Sequence, residues 1–438
     1  MLPLRGRFAP HQRARFYRAA LWLAVGATLV GVVSACTISF PGQNQSQRSA
    51  APPHTVYVSY WRAQKAVTAP GDLQGNALAF IVAAMTTSDG KRVWQSTLLD
   101  NVALSQGSSA RYHTLISGPI VYVAGGLGQR GIVAALDAYT GTILWKHESG
   151  PDVISDMQAA NGTLYLWVGL HELQALDGSS GRLLWRLATG DRYTLGSVAI
   201  AGQAVYIVEQ SFGPERLGDP DPATYTFVRA LRARDGKDIW QGSVEKTDNT
   251  VGYRLQADEQ RVYLLKPSYD TGLRKLPGTV SALRAQDGGV LWTYTEASYT
   301  VDDFTLFAHS LVGQTLYLVA HTHVTALDTQ TGTQRSSYET PFSLYLFMAP
   351  DRLYGAGAGR DDRFCSLNLS DGTKRWCSAV QPTTPSHIVA GTQNLYFLGY
   401  LDSDEKVMVV RQSDGQVVAQ YQIDDPKRTF PGAFGGVD

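Results

Sequence analysis

An all-β ring of eight four-stranded antiparallel units is what this sequence predicts, and three observations predict it. The ten residues LDAYTGTILW at Leu136–Trp145 recur in variant form seven more times. The recurrences are anchored on Gly90, Gly141, Gly181, Gly236, Gly288, Gly332, Gly372 and Gly415, and stand 40 to 55 residues apart, a period that marks a repeat architecture. Upstream of each lies a short β-branched and aromatic run, such as VYVAGG (Val121–Gly126) or LYLVAH (Leu316–His321), fit for a strand. Composition agrees: 43 Gly, 22 Tyr and only 17% charged residues suit turn-dense β structure.

In chain order, the first element is an address. Residues 1–35 hold five Arg and no acid, and an apolar run, AALWLAVGATLVGVVSA (Ala19–Ala35), leads to Cys36. This is the layout of a secretory signal. Val33-Ser34-Ala35-Cys36 resembles the bacterial lipobox, which implies lipidation at Cys36 and anchoring to a membrane outside the cytoplasm. The alternatives are an uncleaved signal anchor, for which the run is short, and plain secretion. Residues 36–54, with Pro, Ser and Gln, read as a flexible tether.

From about residue 55 the repeat takes over. Each unit reads as strand A, strand B (the VYV-type run), strand C ending in Leu-Asp, and strand D carrying a Trp. Such a unit buries both faces only against copies of itself, so packing around an axis gives an eight-bladed β-propeller over 55–424. A solenoid, which favours a shorter and steadier period, is the runner-up. The Gly of each C–D turn supplies positive φ, and the Thr, Ser or Asp before it bonds locally. Trp94, Trp145, Trp185, Trp240, Trp292 and Trp376 each stand four residues after that Gly, and they are six of the nine Trp in the chain. A large ring at this place fills the gap between blades, worth about 1.5–3 kcal/mol of burial or somewhat more. A ligand-binding Trp ring is the competing reading.

These residues carry a resemblance. Ala135, Asp137, Thr140, Gly141 and Trp145, and equally Ala175, Asp177, Ser180, Gly181 and Trp185, resemble the tryptophan-docking repeat of the pyrroloquinoline-quinone-like propellers. That resemblance implies Trp residues stacked between blades. Arg232 and Arg284 depart from it at the Asp, Ser336 and Ala419 at the Trp, so looser packing is expected at blades six and eight. Ring closure is open: the A strand of blade one must come from before Thr55 or after Asp424, yet residues 425–438, with two Pro and no strand pattern, read as a tail. Seven full blades plus an incomplete one is the alternative, with Arg428–Phe430 pairing briefly at most.

Function is less legible. The formal net charge is zero, and residues 36–438 hold 33 basic against 38 acidic residues, so nucleic acid is not indicated. The family resemblance includes quinoprotein dehydrogenases, but a vicinal Cys-Cys, a calcium set and a haem-attachment motif are not found. The reading is therefore no cofactor, no catalytic residue and no enzyme, with a dehydrogenase or ligand-sensing axial channel as the alternative. His321 and His323 share a strand face without a nameable third metal ligand. Glu215–Tyr225 gathers acids in a Pro-rich loop, where calcium competes with plain solvation. Cys365 and Cys377 flank the blade-seven hairpin. A three-residue loop sets them opposite for a disulfide, and a four-residue loop puts them out of register.

The longest insertions, Arg62–Asn76, Ser211–Thr224 and Ser268–Gly278, are all B–C connections and so belong to one face of the ring. Loops carry function more often than scaffolds do. The expected protein is a monomeric, membrane-tethered scaffold whose protein partner binds that face. The nearest analogy is to the lipoprotein propellers of outer-membrane β-barrel assembly.

Overall fold

The structure is a computed structural model. It describes residues 51–437 apart from 53, 64–76, 104–110, 128–129, 151–153, 170, 190–192, 212–223, 248–251, 267–268, 271–274, 277, 296–307, 321–322, 343, 357–362, 383–387, 401–404 and 424–428. Among these residues there is no helix, and the strands form eight antiparallel sheets in a ring, an eight-bladed β-propeller. Blade two shows the plan. Strands A (Arg111–Ser117), B (Ile120–Leu127), C (Arg130–Asp137) and D (Ile143–Gly150) pair in sequence order. Two short strands, Gln381–Pro382 and Val389–Ala390, share the A position in blade eight.

Blade one corrects the expected tail. Thr429–Val437 is its A strand, pairing antiparallel with Thr55–Ala63 from Thr55↔Val437 to Arg62↔Thr429. Pro431 falls at the edge of this pairing, next to a register shift between Val58 and Tyr60. An A strand has only one neighbour in its blade, so a proline is tolerated there where a central strand would exclude it. The first blade is thus complete, assembled from both ends of the ring sequence.

The turns between A and B are tight. Asn161 and Gly162 both have positive φ, at 51° and 75°, the pair a two-residue type I′ hairpin requires. The C–D turns are longer and end in a register shift in every blade, for example between Ala135 and Leu136 or between Ser366 and Leu367. Two residues of strand D there oppose one of strand C, a bulge that bends the outer strand.

The core is divided. Eight apolar clusters each join two successive blades, from Phe80, Val82 and Val123 between blades one and two to Val58, Ile81 and Val409 between eight and one. Each strand alternates its side chains between two such clusters, so no blade has a private core.

Aromatic contacts fasten these interfaces. Trp145 donates its indole N–H to Gly178 O at 2.8 Å, and its ring lies on Gly181 of the next blade. Trp94, Trp185, Trp240, Trp292 and Trp376 do the same to Ala138, Ala233, Ala285, Thr329 and Gln412. The accepting residue also donates its own N–H to the A–B turn of its blade, as Ala138 does to Pro119 O at 2.9 Å. One residue therefore ties the preceding blade, its own C–D turn and its own A–B turn together.

Blades six and eight are not loosened as the sequence suggested. Tyr338 and Tyr421, two residues beyond Ser336 and Ala419, lay their rings on Gly372 and Gly90. Two residues along a strand return to the same face, so a ring placed there reaches the same glycine. Tyr338 also donates its hydroxyl to Leu369 O at 2.8 Å. Tyr421 differs, because its buried hydroxyl has no partner. The closing interface keeps the stacking and lacks the hydrogen bond. Tyr421→Phe should therefore leave the urea midpoint unchanged or raise it, since an unsatisfied polar group is removed. Tyr421→Ala should cost about 3–5 kcal/mol, the range for deleting a buried aromatic.

Candidate functional site

The repeated turns are built around a carboxylate. Asp137 Oδ1 accepts from the backbone N–H of Tyr139 at 3.0 Å and of Thr140 at 2.9 Å, and from the Thr140 hydroxyl at 2.9 Å. Asp177 and Asp328 serve the same way. Where Arg stands at that position, the acid sits three residues later and pairs with it: Arg232 with Asp235 at 3.1 Å, Arg284 with Asp287 at 2.7 Å and Arg411 with Asp414 at 2.8 Å. In blades one and seven, Asp89 and Asp371 accept from the backbone N–H of Lys91 and Thr373. Every C–D turn keeps one carboxylate, at one of two places, so the Arg substitutions are compensated. The glycine carries two demands. Gly141 has φ of 71° and Gly236 of 68°, and a Cβ on either would fall within 3.0 Å of a Trp ring.

Several of the turn carboxylates and the buried tyrosines titrate away from their usual values in opposite senses. The ammonium of Lys91, with the Thr86 hydroxyl, holds Asp89 down to about 2. The Ser179 and Ser180 hydroxyls lower Asp177, and Arg335 lowers Asp328. Burial raises Tyr122 to about 12, and raises Tyr57, Tyr165, Tyr206, Tyr263, Tyr354 and Tyr421 as well. A depressed carboxylate stabilises the fold above its unfolded value near 4, and that contribution disappears as pH falls toward 2. A raised phenol stabilises it below the unfolded value near 10, and that contribution disappears as pH rises beyond 10. The urea midpoint should be flat from about pH 5 to 9 and fall on both sides. A midpoint still flat at pH 3 would contradict the carboxylate account.

The tyrosines belong to a pattern that the turn motif does not include. Each B strand carries one: Tyr57, Tyr122, Tyr165, Tyr206, Tyr263, Tyr317, Tyr354 and Tyr396. In six blades its ring lies 5.8–6.2 Å from the docking Trp of its own blade. Tyr57 reaches on to Ala138 O at 3.1 Å, beside the Trp94 bond.

Cys365 and Cys377 are bonded, and they face each other across strands C and D of blade seven. The turn is the longer one, with Leu367 opposite Lys374. The bulge at Arg375 then restores the register, an outcome that loop length alone does not reveal. Non-reducing peptide mapping should find the two linked. Cys365→Ser with Cys377→Ser should cost about 2–4 kcal/mol, the usual range for a short disulfide loop.

Several other expectations lie outside the described residues: Cys36, His321, Glu215–223, and most of the long B–C connections at 64–76 and 212–223. Within the third connection a small hairpin, Tyr269–Asp270 with Lys275–Leu276, projects from the loop face. His323 opens strand C of blade six (His323–Asp328). Near the axis, burial lowers the Arg254 guanidinium from its usual value, opposed by Asp156 of blade three. Among the described residues no three His, Cys, Asp or Glu converge as a metal-holding set. The cysteines are joined across an outer hairpin, not adjacent in sequence.

Comparison with known proteins places this geometry. A curated relative, the outer membrane protein assembly factor BamB of Yersinia pestis, is 25% identical over 230 residues, covering 51% of this chain. The chain thus spans about half the length (54%) of that relative. AztD of Citrobacter koseri is similar in structure, with a TM-score of 0.52 and 12% identity over 87% of this chain and 97% of that one. BamB of Moraxella catarrhalis matches 71% of this chain and 87% of its own, at 17% identity and a TM-score of 0.49. The sequence profile described as outer membrane protein assembly factor BamB matches residues 79–266, 228–344 and 276–435. Because those segments run through nearly the whole ring, the chain belongs to the BamB family of β-propeller proteins.

Proposed function

We propose that the protein is a non-enzymatic scaffold, held outside the cytoplasm by a lipid on Cys36, whose ring binds a protein partner engaged in outer-membrane assembly. The family match across residues 79–435 carries this reading. The construction of the ring supports it. One face is made of short, self-bonded turns, and strands B and C open toward the other, where the sequence has its longest insertions, the arrangement of a rigid support with a variable binding surface. In this reading residues 1–35 are the signal peptide, residues 36–54 the tether, and the ring is monomeric.

Two measurements test it. Cys36→Ser should abolish incorporation of labelled palmitate and move the protein from the membrane to the soluble fraction. Deletion of residues 213–222 should remove co-purification of outer-membrane assembly proteins from detergent-solubilised membranes, while the thermal transition of the ring persists. Co-purification that survives the deletion counts against the loop face.

A further inference from the structure

Between blades two and three the packing leaves a crevice of about 450 Å³, within the range of small-molecule sites (about 300–1,000 Å³).

The floor is aliphatic: Val133 of blade two with Ile154, Leu166, Val168 and Leu176 of blade three. The rim is charged and unevenly engaged. Gln174 donates to Glu172 Oε1 at 2.7 Å, and Glu148 is also partnered. The Arg182 and Arg186 guanidinium groups have no hydrogen bond or ion pair among the described residues. Arg186 is opposite Gln174 in the C–D register, which puts it on the crevice face of the sheet. An apolar slot whose rim carries two guanidinium groups with no partner among the described residues is complementary to an apolar chain that ends in an anion.

We propose that this crevice binds a small amphipathic organic anion, an aliphatic or aryl chain ending in a carboxylate. The chain lies along Leu166 and Val168, and the carboxylate meets Arg182 and Arg186. Burial of the chain supplies most of the affinity, and the guanidinium groups select the sign of the head group.

The test uses the full-length protein in lipid nanodiscs and decanoic acid bearing a diazirine on its distal carbons, with cross-links located by peptide mass spectrometry. Saturable labelling is expected on the peptide spanning Leu164–Leu176, displaced by decanoate and not by decyltrimethylammonium. The exposed pair Arg182→Glu/Arg186→Glu should cut labelling about tenfold with an unchanged melting transition. Labelling that is diffuse, equally displaced by the cation, or indifferent to the arginine pair overturns the proposal.

Discussion

An aromatic ring laid on the glycine of the next blade is the contact on which this ring depends. Each blade offers one flat side chain forward and receives one at its own C–D turn. The glycine accepts it for two reasons that reinforce each other. Its positive φ lets the turn close, and its missing Cβ leaves room for the ring. Substitution would strain the backbone and lift the aromatic at once. The carbonyl three residues earlier takes the indole proton, so the contact has direction as well as area.

From this contact follows the distribution of the core. With eight clusters shared between neighbours, the blades are held as a closed cycle and not as independent units. Seven of the interfaces lie between consecutive blades. The eighth joins the sequence ends and is made differently. It lacks the hydrogen bond that the other seven aromatic contacts have, and the chain that continues past it, Thr429–Val437, pairs with Thr55–Ala63 inside blade one. Strand pairing over that length offsets a side-chain contact that is merely apolar.

The repeat was plain in the sequence because a turn with a fixed glycine and a fixed Trp stands out against any background. Its substitutes were not. Tyr338 and Tyr421 sit two places beyond the expected position, and only the two-residue period of a strand makes them equivalent to Trp. The B-strand tyrosines were quoted within their strands, yet their role depends on a neighbour about thirty residues away. The closing strand was illegible for another reason. PGAFGGV has little β propensity, and it is a strand because the edge of Thr55–Ala63 is there to receive it. The disulfide depended on a bulge, which loop counting does not detect. The crevice between blades two and three was illegible because Val133 of one blade meets Leu166 and Arg186 of the next only when the blades pack.

The pairing of Thr55 with Val437 also sets a direction for the whole assembly. B strands leave the turn face and A strands arrive there, so both ends of the closed ring emerge on the side of the short turns. Residue 55 and residue 437 thus share a face with the regular turns, and the B–C ends of the strands open on the face opposite to them.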